Sequence, residues 1–221
     1  MDTEAFVITN NRSTLDYVIK SIESQSVNIP VTIIRDMKWI DAVNECVSKC
    51  KSRFYFRIDD DMILHPLCFE YMHYMATSLK RKSLKKMSAY ACKLWEDWTN
   101  RAAGSLKMYQ TPIVQRMGGF RVNKLGKIDK TFNADSAKHG HIIAKDNSMV
   151  GIHALGEFTE QMRYRELWLK NSKANVKPRW YMDAQKRYGK NIEEQYNLIG
   201  SLYSRNRKRK TGFGRYIRSK K

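Results

Sequence analysis

Cysteine is scarce in this chain: four residues in 221, Cys46, Cys50, Cys68 and Cys92. They are too few and too scattered for a disulfide framework, so a reduced, cytosol-like compartment is expected. Cys46 and Cys50 stand four apart, but no second His or Cys pair accompanies them at finger spacing, so buried thiols are expected rather than a zinc site. No apolar run approaches the roughly 18 residues of a membrane span. The opening "MDTEAFVITNN" is acidic and turns strand-like at once, which is not the pattern of a signal peptide. "TNNRST" (9–14) holds no glycine, so a Gly-rich phosphate loop is missing after the first apolar run. Zinc-finger, RNA-recognition and helix-turn-helix signatures are also absent. Acidic residues stop at Glu194, and the end "SRNRKRKTGFGRYIRSKK" carries nine Lys and Arg.

Positive charge is abundant. The formal net charge is +19, from 41 Lys+Arg against 22 Asp+Glu. An anionic partner follows: nucleic acid, an anionic membrane or a phosphorylated ligand. Hydrophobic residues at 42% and aromatics at 11% make the chain globular. The first sixty residues alternate in period. Strand-like runs at 5–10, 29–36 and 53–58 flank helical patterns at 13–25 and 39–50, a β-α-β-α-β order that predicts a parallel sheet with helical crossovers. A helix is expected from Pro66 to Lys82. Further strands are expected at 87–95, 106–111, 141–144 and 148–154, and a Gly-rich loop at 117–130. Helices are expected at 133–140, 157–171 and about 179–205, before a solvated basic tail.

"RIDDDMILHP" (57–66) sets Asp59, Asp60 and Asp61 directly after the third strand. In an open α/β sheet ligands bind at the carboxyl ends of the strands. Carboxylates this close stay ionised together when a cation lies among them, and oxygen ligands suit Mg2+ or Mn2+. A solvated aspartate turn is the plainer alternative.

The stretch from "AFVITNNRSTLDYVIKSIESQ" through "VTIIRD" to "RFYFRIDDDMILHP" resembles the nucleotide-binding half of a GT-A glycosyltransferase, most like family 2. The resemblance covers 5–66 well and extends loosely to about 156. It implies an α/β GT-A-type fold, a Rossmann-like, mixed, mainly parallel sheet flanked by helices. It implies a catalytic domain over 1–175 (a nucleotide-binding half to 66, then an acceptor-side half), with a C-terminal helix and basic tail over 176–221. Asp59 and Asp61 match the Asp-x-Asp metal motif, and Pro66 is in register; Met62 replaces the usual further acid. Thr9, Asn10, Asn11, Arg12, Asp36 and Asp60 would bind the donor. "GGFRVNKLGKIDKTFNADSAKHG" is similar to the acceptor-side segment and offers Asp135 as catalytic base. "MVGIHALG" offers His153 as a further metal ligand. The resemblance implies transfer with inversion, though the His-x-x-Gly spacing, shared with some retaining enzymes, leaves the course open.

The implied activity is that of a hexosyltransferase. A sugar would pass from a nucleotide diphosphate sugar to an acceptor hydroxyl on a carbohydrate or lipid-linked molecule, with Mn2+ or Mg2+ as cofactor. A cytoplasmic location is implied, with the basic tail available to an anionic membrane. Two other classes stay open: a nucleotidyltransferase built on the same acidic site, and a non-catalytic basic protein that binds nucleic acid. Each candidate also has a plainer reading. Asp36 and Asp135 also suit helix ends, His153 lies in an apolar run, and Trp95 and Trp98 suit packing as well as sugar stacking.

Overall fold

The computed structural model describes residues 1–96, 101–122, 128–156, 192–202 and 211–220. The elements run β1 (Thr3–Thr9), α1 (Leu15–Glu23), β2 (Val31–Arg35), α2 (Trp39–Lys49), β3 (Phe54–Asp59), β4 (Ile63–Leu64), α3 (Cys68–Thr77), α4 (Arg81–Lys86) and β5 (Met87–Glu96). Then come β6 (Arg101–Gln110), α5 (Thr111–Arg116), α6 (Ile128–Lys138), β7 (Ile142–Ile152), α7 (Ile192–Asn197), a 3-10 turn (Leu198–Ser201) and α8 (Gly212–Ser219). The expected helix at 157–171, most of that at 179–205, Trp98 and the run at 205–210 lie outside the described residues.

Seven strands form one sheet in the order β2-β1-β3-β6-β5-β7-β4. β1 pairs in parallel with β2 and β3, and β5 with β7; β6 and β4 run against their neighbours. Helices cover both faces, so the central strands are apolar on both sides. In β1, Ala5 and Val7 join one core, while Phe6 and Ile8 join the other. In β3, Phe54, Phe56 and Ile58 face the first core and Tyr55 the second. Arg57 and Asp59 share the face of Tyr55 by the two-residue strand period. The four cysteines are free and buried, and burial raises the Cys46 thiol to about 12.

Several boundaries differ from the sequence reading. The helix expected over 66–82 is split, because the hydroxyls of Thr77 and Ser78 bond back to the carbonyls of His73 and Tyr74 and compete with the helix. Pro112 at the first turn lets α5 start where β6 ends. The loop expected over 117–130 gives way to α6 at Ile128, whose buried positions Ile128, Phe132, Asp135 and Ser136 make one helical stripe. The strand pieces expected at 141–144 and 148–154 form one strand, β7, with register shifts against β5. Its polar centre is kept by Asp146, which accepts from Tyr71 at 2.5 Å, Tyr90 at 2.9 Å and the Ser148 amide at 2.8 Å.

The chain's end is not simply a solvated tail. Phe213 and Ile217 of α8 are buried in the first core. The Phe213 amide donates to Ser148 Oγ at 2.9 Å.

Gly151 is where β4 closes on β7: Leu64 pairs with it, and a Cβ there would stand 2.5 Å from the Ile63 carbonyl oxygen. Backbone cannot yield as a side chain can. Gly151→Ala is therefore expected to lose about 1–3 kcal/mol in a thermal melt, and to loosen His153, two residues on.

Candidate active site

The carboxyl ends of β1, β2, β3 and β7 converge. Three non-glycine residues with left-handed backbone mark these ends among the described residues: Asn11 (φ 59°) after β1, Asp36 (φ 55°) after β2 and Ala154 (φ 62°) after β7. Such conformations cost energy and gather at functional sites.

The turn after β3 puts Asp59, Asp60 and Asp61 in three environments. Asp60 is buried and holds the β1 loop: Thr9 Oγ1 donates to its Oδ2 at 2.8 Å and the Asn10 amide at 3.1 Å. Thr14 donates to the Asp60 carbonyl. Asp61 receives Arg12 at 3.1 Å. Pairing of Ile63 with Ile152 carries β7 past the turn, and the Leu155 amide donates to the Asp61 carbonyl at 3.0 Å. His153 Nε2 thereby lies 3.7 Å from Asp61 Oδ1.

Asp59, Asp61 and His153 each offer a ligand atom, all within 4.8 Å of one another. Asp59 Oδ1 and His153 Nδ1 are buried without a hydrogen-bond partner in the described structure. Two carboxylates and an imidazole form a donor set that fits Mg2+ or Mn2+. Burial, with Asp61 alongside, raises the Asp59 carboxyl from 3.8 to about 6 despite the opposing pull of Arg57. The native state thus binds that proton more tightly than the unfolded chain. This group's contribution to stability is present at low pH and fades as pH rises from about 4 through about 6. Asp59→Asn removes the penalty. In chelator, its melting temperature relative to wild type should rise between pH 4 and pH 8, by the equivalent of at most about 3 kcal/mol.

The turn borders a cavity of about 690 Å³, whose other walls are Ile8 and Asn10 of β1 and its loop, Trp39 of α2, and Ile128, Asp129 and Lys130 of α6. Arg57 also lines it. Its Nε is 3.9 Å from Asp59 Oδ1, and its Nη2 is 3.3 Å from Asp129 Oδ1. Lys107 reaches the same Asp129 oxygen at 2.9 Å. Burial alone would raise the Asp129 carboxyl, but Arg57 and Lys107 hold it below the usual range.

Of the residues expected from sequence, Thr9, Asn10, Arg12, Asp59, Asp60, Asp61 and His153 line this cavity. Asn11 and Asp36 are not among its lining residues; they are joined to each other at 3.3 Å, with Arg35 on Asn11 at 2.6 Å. Asp135 is not brought to the cavity. It lies farther along α6, clasped by Arg121, whose Nε donates at 2.6 Å. The earlier start of α6 puts Asp129, not Asp135, at the helix's cavity end. Trp95 is packed in a core cluster with Ile63 and Met149. Arg57, Trp39 and Asp129 went unread in the sequence. The available signal was a cation inside the apolar strand "FYFRID", two residues before Asp59 and hence on its face.

The chain is similar to the mannosyltransferase PcManGT from Pyrobaculum calidifontis, solved in complex with GDP-Man and Mn2+. The TM-score is 0.55 at 11% identity, over 93% of this chain and 74% of that one. It is similar also to S. aureus TarS 1-349 in complex with UDP-GlcNAc: TM-score 0.56, 9% identity, 83% of this chain and 69% of that one. This is a GT-A-type fold. Against a longer S. aureus TarS chain, this GT-A-type domain spans 41% of the length, at TM-score 0.52 and 11% identity. No family model matches the sequence, and no curated protein does. At such identity the likeness is one of fold alone, and the chemistry rests on the residues of the cavity. No described helix is long and apolar enough to cross a membrane.

Proposed function

We propose that this protein is a glycosyltransferase of the family 2 kind, moving a hexose from a nucleoside diphosphate sugar to an acceptor hydroxyl. One observation carries the reading. On a GT-A-type fold, Asp59, Asp61 and His153 converge at the strand ends beside a cavity walled by the β1 loop and the start of α6. Thr9, Asn10, Asn11, Arg12, Asp36 and Asp60 form the donor side. Asp60 fixes the loop on which the nucleoside rests, and Arg12 adds a cation for the diphosphate. Asp59, Asp61 and His153 would hold Mn2+ or Mg2+. A divalent ion there supplies Lewis acidity for the departing nucleoside diphosphate.

Inversion needs a carboxylate to take the acceptor's proton. Both Asp129 and Asp135 are paired with cations, but Asp129 lines the cavity and Asp135 does not, so Asp129 is the better candidate. The positive charge of the chain would gather anionic donors, and an anionic membrane bearing a lipid-linked acceptor.

The test is a screen of UDP- and GDP-sugars for hydrolysis or transfer, with and without Mn2+. No turnover with any donor would count against the reading. Given an active donor, Asp129→Asn should lower transfer about 10²–10⁴-fold, the usual span for general base catalysis, with donor affinity largely kept. Asp135→Asn should leave more than half of the rate. Equal losses at both positions would remove Asp129 from the base role.

A further inference from the structure

One large apolar surface in the cavity wall lies outside the core. Trp39 lines the cavity and is 41% exposed. The other described wall residues are polar or charged, apart from Ile8 and Ile128, which are buried. Trp39 begins α2, whose residues Ala42, Val43, Cys46 and Val47 are buried in the second core. Positions 39, 43 and 47 share one side of a helix. The stripe that seats α2 on the sheet therefore runs one turn beyond the core and ends in an indole at the cavity. Arg57 lies against that ring, its guanidinium carbon 5.4 Å from the ring centroid. The contact braces the indole, so little freedom is lost when a ligand covers the part still open. Ligand pockets take most of their apolar contact from such aromatic walls, and polar groups fix the orientation.

A nucleoside diphosphate sugar has three parts to offer this wall. The diphosphate is charged, and in the proposed reaction it goes to the metal cluster and Arg12. The sugar ring carries hydroxyls that need hydrogen-bond partners. The base is flat, with an unhydrated π-face that stacks on an aromatic ring whatever its edge pattern. The place of Trp39 in the chain points the same way. It stands three residues after Asp36, on the connection from β2 to α2 that the proposed reaction gives to the nucleoside. The β1 loop on the same side, Thr9 to Arg12, contains no ring.

We infer that Trp39 is the platform on which the donor's nucleobase stacks. The base takes its apolar contact from the start of α2, while the β1 loop and Asp36 supply polar contacts. The inference rests on the glycosyltransferase reading.

Calorimetry in Mn2+ tests it, with UDP, GDP and the matching sugar donors UDP-glucose and GDP-mannose, on wild type, Trp39→Leu and Trp39→Phe. For the nucleotide that wild type binds, Trp39→Leu should weaken affinity about 10–100-fold. The matching sugar donor should weaken by the same factor, and the affinity for Mn2+ alone should not change. Trp39→Phe, which keeps a ring, should retain most of the affinity. Nucleotide should quench tryptophan fluorescence in wild type, and most of that quench should vanish in Trp39→Phe, although four of the five tryptophans remain. Wild-type nucleotide affinity in Trp39→Leu overturns the inference. So does a loss confined to the sugar donors, which would put the ring under the sugar. If Trp39→Leu does not fold, the quench decides, and a full quench in Trp39→Phe overturns the inference. If wild type binds neither UDP nor GDP, the nucleotide-sugar reading fails first, and this inference falls with it.

Discussion

Asp61→Ala is expected to lower donor turnover by about 10²–10³-fold, as loss of a single group that stabilises transition-state charge does elsewhere, and to leave the fold intact. Asp61 contributes a carboxylate to the cluster with Asp59 and His153. It also receives Arg12 at 3.1 Å, so the substitution removes a ligand and one partner of Arg12 at once. The surrounding backbone does not depend on that side chain, because the Leu155 amide bonds to the Asp61 carbonyl, which alanine retains. Three measurements belong together: turnover against Mn2+ concentration, calorimetric Mn2+ binding, and a thermal melt. Near-normal turnover with normal Mn2+ dependence would remove Asp61 from the site. Loss of activity with a collapsed melt would make its role structural.

The second large effect lies outside the cavity lining. Phe213→Ala is expected to cost about 3–5 kcal/mol, the usual range for emptying a buried aromatic position. Typical domains have about 5–15 kcal/mol in all. The ring is fully buried, with centroids 5.0 Å from His65 and 4.8 Å from Tyr71. Gly212 beside it admits no side chain easily, since a Cβ would lie 2.6 Å from the Tyr71 hydroxyl oxygen. Removing residues 205–221 should therefore destabilise the domain rather than trim a solvated tail. Urea unfolding at constant m-value gives the number directly. A loss below about 0.5 kcal/mol, the level of an ordinary surface change, would mean that α8 does not pack on the sheet in solution.

That error shows where sequence pattern runs out. "TGFGRYIR" reads as basic and Gly-rich, and its two core residues, Phe213 and Ile217, are too few to mark a helix without knowledge of the groove beside Tyr71. The first sixty residues were legible because a parallel sheet covered on both faces leaves continuous apolar runs, punctuated by helical periodicity. The aspartate turn was legible because negative charge concentrated at a strand end has few structural uses. His153 was reachable only through the family likeness, since its approach to Asp61 depends on the antiparallel pairing of β4 with β7 across ninety residues. Asp135 comes from the family likeness, and Asp129 went unread because the Gly-rich stretch at 117–130 reads as a loop. The helical stripe from Ile128 through Phe132 was the contrary signal. Arg57 was hidden by its own burial: a lone cation in an apolar strand carries no motif, and its meaning comes from Trp39, Tyr109 and Asp129 around it.

The account stands most directly on one claim, that the Asp59–Asp61–His153 cluster and the cavity beside it form a single metal-dependent nucleotide site. Calorimetric titration of wild-type protein with UDP and with GDP, once in Mn2+ and once in chelator, addresses it. The account predicts saturable binding of at least one of the two in Mn2+, with affinity falling about tenfold or more in chelator, the worth of a single charge-assisted contact or better. Equal affinity with and without the metal, or no binding of either nucleotide, would contradict it.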